Sequence, residues 1–261
     1  MSSVRLWMIT CAGLLAAGFA GEAAAADLRV FSTIGLQSSL QALTPKFEAA
    51  SGDRLHFTWG TAAILVKRVQ DGQTADLMIL TRQGLDALAR AGKVTVGPRA
   101  DLASSGIAVV VRKGAARPDI STAAASKRTL LRAKSLSFSN PAAGGASGVY
   151  IAKLLQRLGI AEQMKAKTMY PPPSGNSAVL VAEGEVELAI QEEAEVASVP
   201  GVELVGALPA GLNNITMFSA GIAPGTREAK AAAALIDFLH TPQAATVFKR
   251  SGLTPAATSA P

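Results

Sequence analysis

Cysteine occurs once, at Cys11, and histidine twice, at His56 and His240. Cys11 falls inside an N-terminal apolar run. The rest of the chain therefore forms no disulfide, offers no thiolate nucleophile, and has too few histidines for a typical zinc site. Aromatic residues make up 5% of the sequence and charged residues 17%. With the basic residues scattered, there is no stacking platform or charged stripe for nucleic acid, and no nucleic-acid partner is expected. No phosphate loop ends in Gly-Lys-Ser/Thr and no G-x-G-x-x-G turn opens a helix, so no cofactor is implied. The stretch Gly145-Ala146-Ser147-Gly148-Val149 lacks the second glycine of a nucleophile elbow. A triad there would need His56 or His240 beside Ser147, so the chain is not expected to be an enzyme; a secreted hydrolase using Ser147 is the alternative from that class.

Long apolar runs are absent except at the start, where Arg5 precedes Leu6 to Phe19 and an Ala-x-Ala ends at Ala26. This is the pattern of a secretory signal peptide over residues 1–26, with cleavage after Ala26 and a periplasmic destination. A lipid-anchor reading of Cys11 is poor, because Thr10 is larger than the usual preceding residue. Arg5 and Glu22 cancel, so the chain from Asp27 keeps the net charge of +6, which favours an anionic partner.

What is present is an alternation of apolar strands and amphipathic helices, the pattern of an α/β protein with sheets covered on both faces. LRVFST, DRLHFTWG and ADLMILT read as strands. IGLQSSLQALTPKFEAASG reads as a helix with a kink near Thr44 before Pro45, and REAKAAAALIDFLHTPQAATVFKRSG as one last helix. The stretch after Gly114 reads as helix-poor. Ile107–Arg112 and Ile215–Ile222 read as paired strands crossing between two lobes, one of residues 27–106 plus 217–261 and one of 107–216. Gly106, Gly114 and Gly221 are the candidate hinges.

Ligands of such sheets bind beyond the carboxyl ends of strands, which places Thr33, Ile34, Gly35, Thr61 and Thr81 on one rim. The organising stretch is SNPAAGGASGVYIAKLLQRLG, residues 139–159, where a glycine-rich turn delivers Ser147 and uncovered amides to a helix start that favours an anion. FTWGTAAILVKRVQDG repeats the arrangement at Thr61 and Ala62. Thr61 and Ser147 read as ligand contacts or as helix caps, Ser174 and Asn176 as contacts or turn formers, and Gln191 and Glu192 as rim or surface. Arg82 reads as surface or as a partner for a carboxylate; Trp59 and Tyr150 read as packing.

These four stretches, VFSTIGLQSSLQALTPKFEAASG, WGTAAILVKRVQDGQTADLMIL, NPAAGGASGVYIAKLLQRLG and HTPQAATVFKRSGLTP, resemble the periplasmic molybdate-binding-protein family in order and spacing. The resemblance implies a two-lobed type II periplasmic binding fold, each lobe a mostly parallel sheet flanked by helices, with two crossing strands as hinge. It also implies an ABC importer subunit, a membrane permease as partner, a small anionic ligand in the interlobe cleft, and a monomer; a binding protein feeding a receptor is the alternative. In that family the oxyanion is held without charged side chains. Its donor positions fall here on Gly35, a serine in the family, with Thr33 or Ser32 as substitutes. The others fall on Thr61, on Ala146, Ser147 and Gly148, on Ser174 to Asn176, and on Glu192, or Gln191 if the register slips by one. A carboxylate at Glu192 would repel a dianion. The chain therefore resembles more the members whose ligands are other small anions, tricarboxylates such as aconitate among them.

Overall fold

The computed structural model describes residues 25–98, 100–143, 145–172, 175–197 and 199–257. Two sheets share the chain. The first has strand order β11-β4-β10-β3-β1-β2, from β1 (Asp27–Thr33), β2 (Arg54–Gly60), β3 (Leu77–Thr81), β4 (Asp101–Ser105), β10 (Thr216–Ile222) and β11 (Thr254–Pro255). The second has order β7-β6-β8-β5-β9, from β5 (Ile107–Arg112), β6 (Leu136–Ser137), β7 (Thr168–Met169), β8 (Leu188–Glu192) and β9 (Val202–Ala207). The sheets are mixed where mostly parallel ones were expected. β1 runs parallel to β2 and β3, and β6 parallel to β7 and β8, while β10, β4 and β11, like β5 with β8 and β9, pair antiparallel.

Strand alternation explains why each sheet is covered twice. In β3, Leu77 and Ile79 enter one apolar cluster with Leu40, Leu43 and Phe47 of α1 (Gln37–Ser51), Leu235 of α9 (Ala229–Leu239) and Phe248 of α10 (Pro242–Arg250). Met78 and Leu80 enter the opposite cluster with Leu65 of α2 (Ala62–Gln70) and Leu85 and Leu88 of α3 (Arg82–Arg90). In the second sheet Val109 and Val111 meet Leu130 of α4 (Ala123–Arg132), Ile151 and Leu154 of α5 (Ala146–Arg157) and Met164 of α6 (Ala161–Lys165). Val110, on the other face, meets Ala178 and Val181 of α7 (Ser177–Glu183) and Val196 of α8 (Glu193–Val196).

Asp76, buried just before β3, ties the first sheet together. It accepts from the backbone N–H and guanidinium of Arg29 and from the Thr226 hydroxyl. Burial pushes its carboxyl up, yet these hydrogen bonds outweigh it and leave the group below the ordinary carboxylate range.

Several sequence expectations are corrected. Ile107–Arg112 and Ile215–Ile222 do not pair with each other. The chain pairs β4 with β10 inside the first sheet, then crosses at Gly106 and again over Asn213–Ile215, where the Asn213 carboxamide oxygen accepts from Ile107 N at 2.7 Å. α1 runs through Pro45, which sits on its exposed face, so the carbonyl that loses its donor lies toward water. The stretch after Gly114 holds α4, because Thr122 caps Ala125 N and Leu130 supplies an inward anchor. The last helix is two, since Pro242 opens a new one under a Thr241 cap. Gly114 is a turn residue with φ +81°, and a Cβ on Gly221 would stand 2.5 Å from Val94 Cγ2, so of the three candidate hinges only Gly106 lies at a crossing. The proposed signal segment lies outside the described residues apart from Ala25 and Ala26, and Cys11 lies outside them entirely.

Candidate functional site

A cleft between the sheets, about 570 Å³ including its open mouth, is lined almost wholly by residues that follow strand ends. Thr33 ends β1 and is followed by Ile34 and Gly35; Thr61 and Ala62 follow β2; Thr81 ends β3. From the second sheet, Ser139 and Asn140 follow β6, Pro171 and Pro172 follow β7, and Glu192 and Glu195 close β8 and enter α8. Phe218 of β10 forms an apolar patch, and Ala143, Gly145, Ala146 and Ser147 bring the start of α5.

Thr61 does two jobs. Its Oγ1 accepts from Ile64 N at 3.3 Å, capping α2, and donates to Ala143 O of the facing lobe at 3.3 Å. α5 has no such side-chain cap: its first intrahelical bond runs from Val149 N to Gly145 O, and the residues before it, Gly145, Ala146 and Ser147, line the cleft. Ser147 is 3% exposed in that first turn. Thr33 Oγ1 is buried without a hydrogen-bond partner among the described residues, an unmet group of the kind a ligand satisfies.

Arginine, lysine and histidine are missing from the lining among the described residues. Arg82 is held by Asp101 at 2.6 Å in a neighbouring groove, His56 pairs with Asp27, and His240 bonds the carbonyls of Ile236 and Asp101. Neither histidine therefore stands beside Ser147, so the Ser-His pairing that a hydrolase triad needs is not formed. Trp59 stacks on Phe57, and Tyr150 donates to Leu212 O and Asn213 O.

The only ionisable groups lining the cleft among the described residues are two acids. Burial, and then the neighbouring Glu195, push Glu192 up to about 8, against a hydrogen bond from Thr216 that pulls it down. Burial pushes Glu195 up to about 7, opposed by a hydrogen bond from the Gln191 carboxamide. The pair holds a proton near neutral pH.

Of the residues named from sequence, Thr33, Gly35, Thr61, Ala62, Ser147 and Glu192 meet in this cleft. Gly148 does not line it. The glycine lets α5 pass Ser139, whose carbonyl oxygen would stand 2.2 Å from a Cβ there. Asn176 and Gln191 face an adjacent polar groove with Gln37, Ser38 and Gln41, and Ser174 lies outside the described residues. Sequence reasoning missed Glu195, Phe218, Ser139 and Asn140. The signal for Glu195 was its three-residue spacing from Glu192 in QEEAEV, hidden in an acidic run that normally reads as a solvated face.

Gly35 has no room for the serine that the molybdate-type pattern puts there. A Cβ would stand 2.8 Å from Phe218 Cζ and 3.1 Å from Glu192 Oε2. Gly35→Ser is expected to cost about 1–3 kcal/mol in a denaturant melt and to yield no molybdate binding by calorimetry.

Comparison with known families resolves the fold's kinship. Residues 28–254 match the family model described as bacterial extracellular solute-binding protein. The chain belongs to that family. This solute-binding protein is 33% identical over 234 residues to the aconitate isomerase of a Pseudomonas species, covering 87% of each chain. It is 26% identical over 255 residues to the molybdate-binding protein ModA of Escherichia coli K12, covering 96% of this chain and 98% of that one. Its fold superposes on the periplasmic molybdate-binding protein of Azotobacter vinelandii with a TM-score of 0.70 at 17% identity, over 88% of this chain and 100% of that one.

Proposed function

We propose that this solute-binding protein captures a small organic di- or tricarboxylate in the cleft between its lobes, 27–106 plus 217–261 and 107–216. On this reading it works as a monomer in the periplasm after loss of residues 1–26 and delivers its ligand to the permease of an ABC importer. The observation that carries the reading is the filling of the space above Gly35 by the Glu192 carboxyl and the Phe218 ring. A bare tetrahedral oxyanion has no use for an apolar ring. A carbon skeleton does, and its carboxylates would accept from the protonated acid, from Thr33 and Ser147, from Thr61 once its hydroxyl turns away from Ala143 O, and from the first amides of α5. The aconitate isomerase relative supports the same class of ligand.

The test is a calorimetric and thermal-shift panel of cis-aconitate, trans-aconitate, citrate and succinate against molybdate, tungstate and sulfate. Carboxylates are expected to bind, and Thr61→Ala, which removes a cap and a donor, is expected to weaken them about tenfold. Micromolar binding of molybdate or tungstate with none of the carboxylates would overturn the reading.

A second reading is turnover of the bound carboxylate. It is favoured by the carboxyl pair itself: an anion trap gains nothing from two acids in its cleft unless they are used.

A further inference from the structure

We propose that Glu192 and Glu195 are the acid and base of a 1,3-proton shift that moves the double bond of an unsaturated di- or tricarboxylate held in the cleft. The proposal rests on the carboxylate reading above and assigns it a reaction and the residues that perform it.

The two side chains line the same cleft from the end of β8 and the turn of α8 that follows it. Each accepts from a neutral donor. Thr216 donates to Glu192, and the Gln191 carboxamide donates to Glu195. Gln191 cannot turn its amide away, because its carbonyl end accepts from Ser177 N at 2.9 Å. α8 packs against β5, β8 and the turn Ile34–Leu36, against Ala178 and Val181 of α7, and through Glu193 against Gly252 after α10. Among the described residues no cation lines the cleft beside the pair: Arg112 of β5 bonds Ala182 O at the far end of the strand, and the third acid, Glu193, packs against Gly252. Two close carboxyls without a cation share a proton, so one is a base while its neighbour is an acid.

That state matches what a proton shift requires. The ionised carboxyl removes a proton from a methylene lying between a carboxylate and the double bond. The C–H electron pair becomes the new carbon–carbon π bond, and the former π pair takes the proton of the other carboxyl at the far carbon. One C–H bond breaks and one forms, no electrons leave, and no co-reactant is consumed. In a branched tricarboxylate the shift exchanges the cis and trans forms. Thr61, Ser147 and the first amides of α5 would stabilise the charge that builds on the ligand's carboxylate.

After one shift the pair has exchanged roles and must be reset. Glu192 is sealed at 3% exposure, but half-buried Glu195 also lines the polar groove of Gln37, Ser38 and Gln41, which opens to solvent on its other side. Glu195 is thus the member that returns the proton to water while the cleft is occupied.

The test incubates the purified mature protein with cis-aconitate and, separately, trans-aconitate in deuterated water. Proton NMR follows interconversion and deuterium entry, and calorimetry measures binding of the same two probes. The wild type is expected to interconvert them and to incorporate deuterium at the carbons that exchange. Glu192→Gln and Glu195→Gln are each expected to bind but to turn over at least about 100-fold more slowly, with melting curves showing both folded. Binding without interconversion or deuterium entry would overturn the proposal and leave the carboxylate reading standing. Turnover undiminished in both variants would overturn the assignment to this pair. Absence of binding to either probe would overturn the carboxylate reading and this proposal with it.

Discussion

Glu192→Gln is expected to make the protein more stable in alkali while leaving it close to wild type in acid. The Glu192 and Glu195 carboxyls both titrate above their ordinary value of 4.5, so the folded chain keeps protons that the unfolded chain gives up. Their contribution to stability is fully present below about pH 4.5 and is lost as pH rises through about 7 to 8, at roughly 1.4 kcal/mol per pH unit for each proton. The glutamine fills the same volume, still accepts from Thr216 through its carbonyl, and has no proton to lose. At about pH 9 the variant should exceed wild type by ~2–4 kcal/mol in a urea melt, and at pH 4 the two should agree within about 1 kcal/mol. A difference that does not change between those pH values would mean that Glu192 titrates normally and faces water.

Gly148→Ala should have the opposite consequence. Inside a helix this exchange ordinarily gains up to about 1 kcal/mol. Here the new Cβ would stand 2.2 Å from Ser139 O and 2.9 Å from Ser139 C, and backbone cannot rotate aside as a side chain does. Either α5 or the segment after β6 must move. We expect a loss of about 3 kcal/mol, or roughly 6–12 °C in melting temperature. Carboxylate binding should go with it, because Gly145, Ala146 and Ser147 stand on the same turn. A melting temperature at or above wild type would show that α5 does not lie against Ser139.

Much of the fold was legible because the apolar strands and their helices are local patterns. The rim after β1, β2 and β3 followed from the rule that parallel strands end at the ligand, and Thr33, Gly35, Thr61 and Ser147 do share one cleft. What escaped was set by partners far along the chain. The pairing of β10 with β4 depends on registers that no local window contains. The helix after Gly114 was masked by small residues, and Thr122 is the cap that declares it. Glu195 was invisible because an acidic run says nothing about which carboxyls turn inward; only the chain's bend after β8 turns two of the three acids of QEEAEV, Glu192 and Glu195, toward the cleft. Gly35 was misread as a missing hydroxyl. Its bare Cα is what admits Phe218 and the Glu192 carboxyl.

The central claim is that the cleft takes a carboxylate while the Glu192–Glu195 pair holds a proton. The most direct measurement is calorimetric titration with trans-aconitate at about pH 8, where the ligand is fully ionised, in two buffers of different ionisation heat. The account predicts binding with uptake of about half to one proton per ligand, and loss of most of that uptake in Glu192→Gln. Binding of equal strength with no proton taken up in either buffer would contradict it.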